Sequence, residues 1–170
     1  DATYGGCAVL LGVPRSWRTL NSDAVNDTQL HTVIRSADIV HPWTPGRYND
    51  ISGVDSHKSN IIADKAWCDA ENLLYMPVVF PGFSWQNLKK SQDTYSSLNS
   101  IPRLKGDFLW RQLYNAVDAG AQTIYVAMFD EMDEGTCIFK VENDPPSNAL
   151  TQFTNYEGLP SDYYLWLTGK

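Results

Sequence analysis

The stretch Tyr125-Val126-Ala127-Met128-Phe129-Asp130-Glu131-Met132-Asp133-Glu134-Gly135-Thr136 is an apolar run that ends in four carboxylates within five residues. Bounded by a turn glycine and rich in residues that suit a buried strand, it reads as a parallel strand whose C-terminal end delivers acids into one place. In α/β proteins that end of the sheet is where ligands bind and chemistry is done. Carboxylates this close repel one another, so their clustering requires a cation, a base or a use for shifted pKa values.

Upstream, the same pattern of apolar run and polar exit repeats. Residues 6 to 13 form an apolar run closed by Pro14, which predicts a buried strand. A helix is predicted near residues 27 to 35, where Leu30, Val33, Ile34 and Ala37 fall at helical spacing behind Asp27 and Thr28 as caps. A second strand, Asp38 to His41, stops at Pro42. Residues 57 to 72 carry Ile61, Ile62, Ala66, Trp67, Ala70 and Leu73 on one stripe and leave Asp64, Lys65, Asp69 and Glu71 mainly outside. A third strand, Leu74 to Phe80, ends in Pro81-Gly82. Asp107 then caps a helix with Phe108, Leu109, Leu113, Ala116 and Val117 inward and Gly120 at its C-terminal turn. The fourth strand, Thr123 to Phe129, leads into the acids. Residues 137 to 141 add a short extended piece, and Pro160-Ser161 starts a last helix with Tyr164, Leu165 and Leu167.

This β-α-β-α-β-α-β-α order implies right-handed crossovers and a parallel sheet. A free-standing doubly wound sheet is one solution, but Gly12-Val13-Pro14-Arg15-Ser16 lacks the glycine pattern of a phosphate loop. The other is an α/β (β/α)8 barrel of TIM type, a fold of ~250 residues, of which four parallel β/α units make half.

The chain has 170 residues, enough for one domain with a real core, and a hydrophobic fraction of 43% marks it as globular. Its net charge of -7 argues against nucleic acid or an anionic membrane as partner. No apolar stretch approaches the ~20 residues of a membrane helix. No signal peptide or initiator Met begins the chain, and Asp1 is expected to be a processed or cut end. With 6 Trp and 9 Tyr, the composition suits stacking on neutral ligands such as sugars. Cys7, Cys68 and Cys137 lack metal-type spacing, and an odd count leaves at least one unpaired or bonded to another chain. Asn26-Asp27-Thr28 is an N-glycosylation sequon on a polar segment, usable in a secreted protein.

In a barrel the segments after each strand share one rim. The first supplies Arg15, Trp17 and Arg18, and the second His41, Trp43, Arg47 and Tyr48. Phe83, Ser84 and Trp85 come from the third, and Asp130 to Glu134 from the fourth. Flat apolar faces beside convergent polar groups are what a polyhydroxylated ligand needs. The candidate substrate-binding residues are therefore Trp17, Arg18, His41, Trp43, Arg47, Tyr48, Trp85, Asp130 and Asp133. Each has a plainer reading: the tryptophans as plugs closing the barrel top, His41 as a satisfied structural histidine, Arg47 as a neutraliser of the acids, and Asp130 and Asp133 as loop-capping groups. For Glu131 and Glu134 the plainer reading is weakest, because glycosidic cleavage needs paired carboxylates, one to protonate the leaving oxygen and one to act as base or nucleophile. In a dry cleft, like charges push one of the two pKa values upward.

Several motifs in order resemble the glycoside hydrolase family 71/99-like group. They are Gly12-Val13-Pro14 with Trp17-Arg18-Thr19, Pro42-Trp43-Thr44 with Gly46-Arg47-Tyr48, Pro77 to Trp85, Phe108-Leu109-Trp110-Arg111-Gln112, and the acidic segment. The family 99 signature Trp-Asn-Glu-Trp-His-Glu-Gly-Thr stands here as Phe129, Asp130, Glu131, Met132, Asp133, Glu134, Gly135, Thr136. The resemblance implies Glu131 as the base assisting the sugar 2-hydroxyl and Glu134 as general acid/base, with configuration retained through a neighbouring-group intermediate. The Trp, Asn, Trp and His of the signature are replaced, which separates this chain from the family's mannose-specific pattern. Family 71 α-1,3-glucanases carry a related acidic segment.

The resemblance also implies further strands before residue 1. One domain over 1–170, the C-terminal half of the barrel, is expected, with the N-terminal half missing or supplied by another chain or by homo-oligomerisation. The leading function is a secreted glycoside hydrolase on α-linked glycans with no obligatory cofactor. The alternative is a lectin-like sugar-binding protein on the same barrel. A third reading, a hard cation held by Asp130, Glu131, Asp133 and Glu134, misses the EF-hand spacing.

Overall fold

In the computed structural model, which describes residues 3–170, strands and helices alternate. They are β1 (Leu10–Pro14), α1 (Gln29–Ile34), β2 (Ile39–Trp43), α2 (Ile51–Ala70), β3 (Leu74–Tyr75), β4 (Val78–Val79), α3 (Gln86–Ser91), α4 (Asp107–Asp118), β5 (Tyr125–Val126) and α5 (Tyr163–Thr168). One turn of 3-10 helix, Leu104–Gly106, precedes α4.

Parallel pairing joins β1, β2 and β3 in chain order, and β4 with β5. β3 and β4 are two parts of one extended run. Met76 N donates to Val40 O of β2 at 2.9 Å, and the next carbonyl, Pro77 O, accepts from Tyr125 N of β5 at 3.0 Å. Four strand positions, all parallel, therefore follow one another in chain order, as the sequence pattern predicts.

The sheet is curved, and the side chains show it. The row Leu11, Val40 and Tyr75 is in register and faces the helices, where Val40 and Tyr75 join Val13, Ile34, Ile61 and Cys68 in one core cluster. His41 points the other way, and its ring lies 4.6 Å from that of Tyr125, centroid to centroid. These residues belong to the second and fourth strand positions. In a closed (β/α)8 barrel each interior layer is built from alternate strands, and this pair has that relation. On the same inner face the register row Leu10, Ile39 and Leu74 leaves Leu10 44% and Leu74 53% exposed. The four strands thus have the curvature of part of a barrel. Among the described residues no helix is long and apolar enough to cross a membrane.

Where elements depart from the sequence reading, local chemistry explains it. α2 begins at Ile51, six residues before the predicted start, because the Asp50 carboxylate accepts from Gly53 N at 2.7 Å and caps it. Its buried face is Val54, His57, Ile61, Asp64 and Cys68, whereas Ile62, Ala66 and Ala70 face outward. Two of those five residues are polar, so the apolar stripe and the buried stripe do not coincide. In α4 the cap position belongs to Gly106 (φ 98°), and Asp107 occupies the first turn. Val117 is exposed, while Gln112 and Asn115 are buried. Beyond Val126 the fourth strand loses regular pairing, since Met128 and Phe129 bond instead to the returning segment 136–139, which is the predicted extended piece.

The polar face of α2 gives opposing pH responses. Burial, aided by the Arg15 charge, holds His57 down to about 4, and burial pushes Asp64 up to about 6 against the pull of Arg18. Folded His57 refuses a proton that the unfolded chain binds, so its contribution to stability is gained as pH rises from about 4 to 6.5. Folded Asp64 keeps a proton that the unfolded chain has lost, so its contribution falls as pH rises from 3.8 to about 6. The two offset each other. Relative to wild type, His57→Gln is expected to lose on the order of 3 kcal/mol of stability between the lower and upper ends of that window. Asp64→Asn should show the opposite slope. Urea unfolding across the window reads both, and parallel profiles for all three proteins would contradict the assignment.

Candidate active site

After β5 the backbone turns through the four acids and comes back along itself. Met128 N donates to Thr136 O at 3.0 Å, Cys137 N to Glu131 O at 2.9 Å, and Ile138 N to Met128 O at 3.0 Å. Inside the turn, Glu131 Oε1 accepts from Asp133 N at 2.8 Å and Glu134 N at 3.2 Å. One carboxylate oxygen of Glu131 thereby fixes the backbone that carries Glu134. Asp133 leaves the turn sideways and accepts from Asn87 Nδ2 of α3 at 2.8 Å. Glu134 is half-buried, and its carboxyl pKa is raised by burial first, then by the charges of Glu131 and Asp133. Among the described residues no three His, Cys, Asp or Glu side chains are arranged to hold a metal ion, and the four acids do not converge on a point.

Arg103 holds this turn from beneath. Its side chain is fully buried, and Nη2 donates to Gly135 O at 2.8 Å and Cys137 O at 2.9 Å. The guanidinium lies 4.9 Å from the Tyr156 ring and 4.7 Å from the Tyr164 ring. Among the described residues no carboxylate is within ion-pair distance, so carbonyl oxygens and aromatic faces offset its burial, while Nε and Nη1 have no hydrogen-bond partner. Glycine is needed on both sides of it. A Cβ on Gly82 would meet Arg103 Cγ at 2.7 Å, and Gly135, at φ 64°, leaves only 2.7 Å between such a Cβ and Thr154 Oγ1.

The four rim segments are linked in series. Asp23, from the loop after β1, pairs with Arg47 after β2 at 3.0 Å. Gly46 packs against Trp85 after β4, where an added Cβ would lie 3.0 Å from Cζ2. Ser84 N donates to Glu134 O at 2.7 Å, which ties the β4 exit to the acidic turn. Behind β4, the buried Gln112 amide of α4 bridges both backbone groups of Phe80, accepting from its N–H at 3.1 Å and donating to its C=O at 2.8 Å. The strand ends are thereby braced against one another.

This placement sorts the predicted ligand residues. Trp43 is 40% exposed and Trp85 is half-buried against Phe83, with ring centroids 4.5 Å apart. Trp43 and His41 stand on the inner face of β2, and Trp85 packs at the rim against the cluster that holds Phe83 and Tyr48. Burial pushes the His41 imidazole below its usual pKa. Asp130 is exposed at the turn. Trp17 and Tyr48 correct the reading. Trp17 is fully buried on the helix side, edge-on to Trp67 at 4.8 Å, and buried Tyr48 donates its hydroxyl to Gln112 Oε1 at 3.0 Å. Neither ring has a face open to a sugar. Arg18 turns outward to Asp64 of α2 at 2.7 Å, and Arg47 neutralises Asp23 and not the acidic turn. Sequence reasoning missed Arg103, Ser84's backbone role, Asn87 and Gln112. Only Gln112, an amide one turn after Phe108 on a helix face otherwise apolar, left a signal. All three cysteines are free, with Cys68 and Cys137 buried and Cys7 exposed.

The family model for glycosyl hydrolase family 99 matches residues 48–170. Over 123 residues the chain is 29% identical to a glycoprotein endo-alpha-1,2-mannosidase-like protein of Danio rerio, covering 72% of the chain and 26% of that relative. The corresponding protein of Mus musculus is 28% identical over 162 residues, 92% of the chain and 34% of the relative. Among solved structures, the GH99 endo-alpha-mannosidase of Bacteroides thetaiotaomicron superposes with a TM-score of 0.66 at 19% identity, over 96% of this chain and 45% of that one. That neighbour is a TIM-barrel enzyme, and the likeness is one of fold. The chain spans about a third or less of the length of these curated relatives.

Proposed function

We propose, for a chain that belongs to glycosyl hydrolase family 99, that it forms the acid-bearing part of a glycoside hydrolase acting on α-linked glycans. The observation that carries this reading is the half-buried Glu134 with a raised pKa, held three residues from Glu131 in a braced turn at the strand ends. A carboxyl kept protonated above the ordinary carboxylate range can donate to a departing glycosidic oxygen. Glu131, with one oxygen held by the turn backbone, is assigned the proton of the sugar 2-hydroxyl as that oxygen attacks the anomeric carbon. Water then attacks the anomeric carbon with Glu134 as base, the bond to the 2-oxygen breaks as Glu131 returns its proton there, and the configuration is retained. Trp43, Trp85 and His41 would line the sugar side of the site. The names of the relatives make α-mannosides the first substrates to test.

The same reading takes these four β/α units as the C-terminal half of the barrel. The exposed inner-face residues Leu10 and Leu74 support it, as does β1, which pairs only with β2 among the described residues. The deciding experiment incubates the intact protein with α-mannan, α-1,3-glucan and other α-linked oligosaccharides and follows the anomeric configuration of released products by NMR. Release with retention supports the proposal. Saturable sugar binding without any release would replace it with the lectin reading.

A further inference from the structure

Away from the acidic turn, the loop after β1 and the middle of α2 enclose a polar cavity of about 240 Å³ lined by Arg15, Ser16, Arg18, Asn21, Asn60 and Asp64, among others. At ~30 Å³ per water it has room for several molecules of solvent or one tetraoxyanion. Its walls are built before any ligand arrives. The Asp23 carboxylate accepts from Arg15 N at 3.2 Å and Ser16 N at 3.0 Å, Ser16 O accepts from Leu20 N at 3.0 Å, and Trp17 anchors the loop in the core. Leu20 (φ 53°) and Ser22 (φ 50°) both sit in the left-handed region, which side chains other than glycine adopt at a cost.

The charges are unbalanced. Arg18 reaches Asp64 with Nε alone at 2.7 Å, so among the described residues no hydrogen bond engages its terminal nitrogens. Arg15 makes no ion pair among the described residues, and its buried Nε has no hydrogen-bond partner. Asp23 in the wall is paired with Arg47, so the remaining two guanidinium groups, Arg15 and Arg18, face the single carboxylate of Asp64 and leave a net positive charge in a chain whose overall charge is -7. Fork-shaped donors with neutral hydroxyl and amide neighbours suit an oxyanion.

We propose that this cavity binds a small tetrahedral oxyanion, phosphate or sulfate, between Arg15 and Arg18, with Ser16 and Asn21 as neutral partners. Such a group reaches the protein either free or as a substituent on a sugar. The test is calorimetric titration of the intact protein with inorganic phosphate and, separately, with a hexose phosphate, both against chloride at equal ionic strength. Binding tighter than about 1 mM is expected. Preference for the hexose phosphate would identify a sugar substituent, and equal or weaker binding of it a free anion. Arg15→Gln should weaken binding about tenfold or more, the loss of a charge-assisted pair of hydrogen bonds. Asn21→Asp, an exposed position that keeps its acceptor for Thr19, should do the same without touching the core. Asp64→Asn should tighten binding. Absence of binding by the wild-type protein, or unchanged binding by Asn21→Asp and any folded Arg15→Gln protein, would overturn the proposal.

Discussion

Glutamine in place of Glu134 is expected to slow glycan hydrolysis about 10³-fold while leaving sugar affinity near its original value. The amide keeps the shape and the acceptor oxygen of the acid but has no proton of suitable acidity for a leaving alkoxide. Because burial and two like charges disfavour ionised Glu134, the neutral amide should leave the fold no less stable at neutral pH. A companion variant separates the roles of the two acids. Glu131→Gln removes a charge that helps to raise the Glu134 pKa, so the alkaline limb of the residual pH–rate profile should move to lower pH. Steady-state kinetics across pH, with binding measured independently, reads both effects. A fully active Glu134→Gln protein would end the assignment of that residue as the acid.

The second large effect is expected at Arg103. Methionine there fills much of the same volume but removes the donor that the Gly135 and Cys137 carbonyls meet at 2.8 and 2.9 Å, stranding the first and leaving the second only the Tyr156 hydroxyl at 3.4 Å. Each buried acceptor left without a donor costs ~1–3 kcal/mol, and the cation is lost from between two aromatic faces. Relief from burying the charge offsets part of this, leaving a net destabilisation of about 3 kcal/mol, or roughly 10 °C in Tm for a domain of this size. Both bonds come from Nη2 alone, so lysine restores the charge and a donor but not the planar cation between the two tyrosine rings, and Arg103→Lys should fall between wild type and Arg103→Met. Activity measured well below either Tm should also drop, because the turn bearing both glutamates loses its support. Stability within 1 kcal/mol of wild type for Arg103→Met, by urea unfolding, would show that the clamp contributes little.

Some of this was readable from residue order. Apolar runs closed by Pro14, Pro42 and Pro81 located the strands, and the acids after the fourth run located the turn. That reading rests on side-chain hydrophobicity, so it fails where the buried face is polar. On α2 it selected Ile62 and Ala66 over His57 and Asp64, because the partners that offset their burial, Asn60 on the same helix and Arg18 46 positions upstream, are invisible to hydrophobicity. It also could not orient rim aromatics. Trp17 and Trp43 both stand beside polar residues shortly after or at a strand's end, yet one turns under the helices and the other onto the inner face. Arg103 had no signature at all, since a lone basic residue after a proline looks like any solvated loop. Its importance lies in acceptors more than 30 positions downstream.

Holding the acidic turn through carbonyl oxygens and tyrosine faces has a consequence for how the turn can vary. Arg103 makes no bond to any of the four carboxylates, and the neighbouring strand end grips Glu134 by its backbone oxygen. Titrating, neutralising or exchanging Asp130 or Glu134 therefore changes the local field without releasing the scaffold beneath it, whereas Glu131 and Asp133 also hold part of that scaffold through their carboxylates. Added salt, which screens exposed ion pairs, acts little on a buried grip of this kind. At Asp130 and Glu134 the shape of the turn and the charge it displays are set by different atoms, so those two acids are free to diverge among related chains while the loop that presents them stays the same; Glu131 is bound to both tasks.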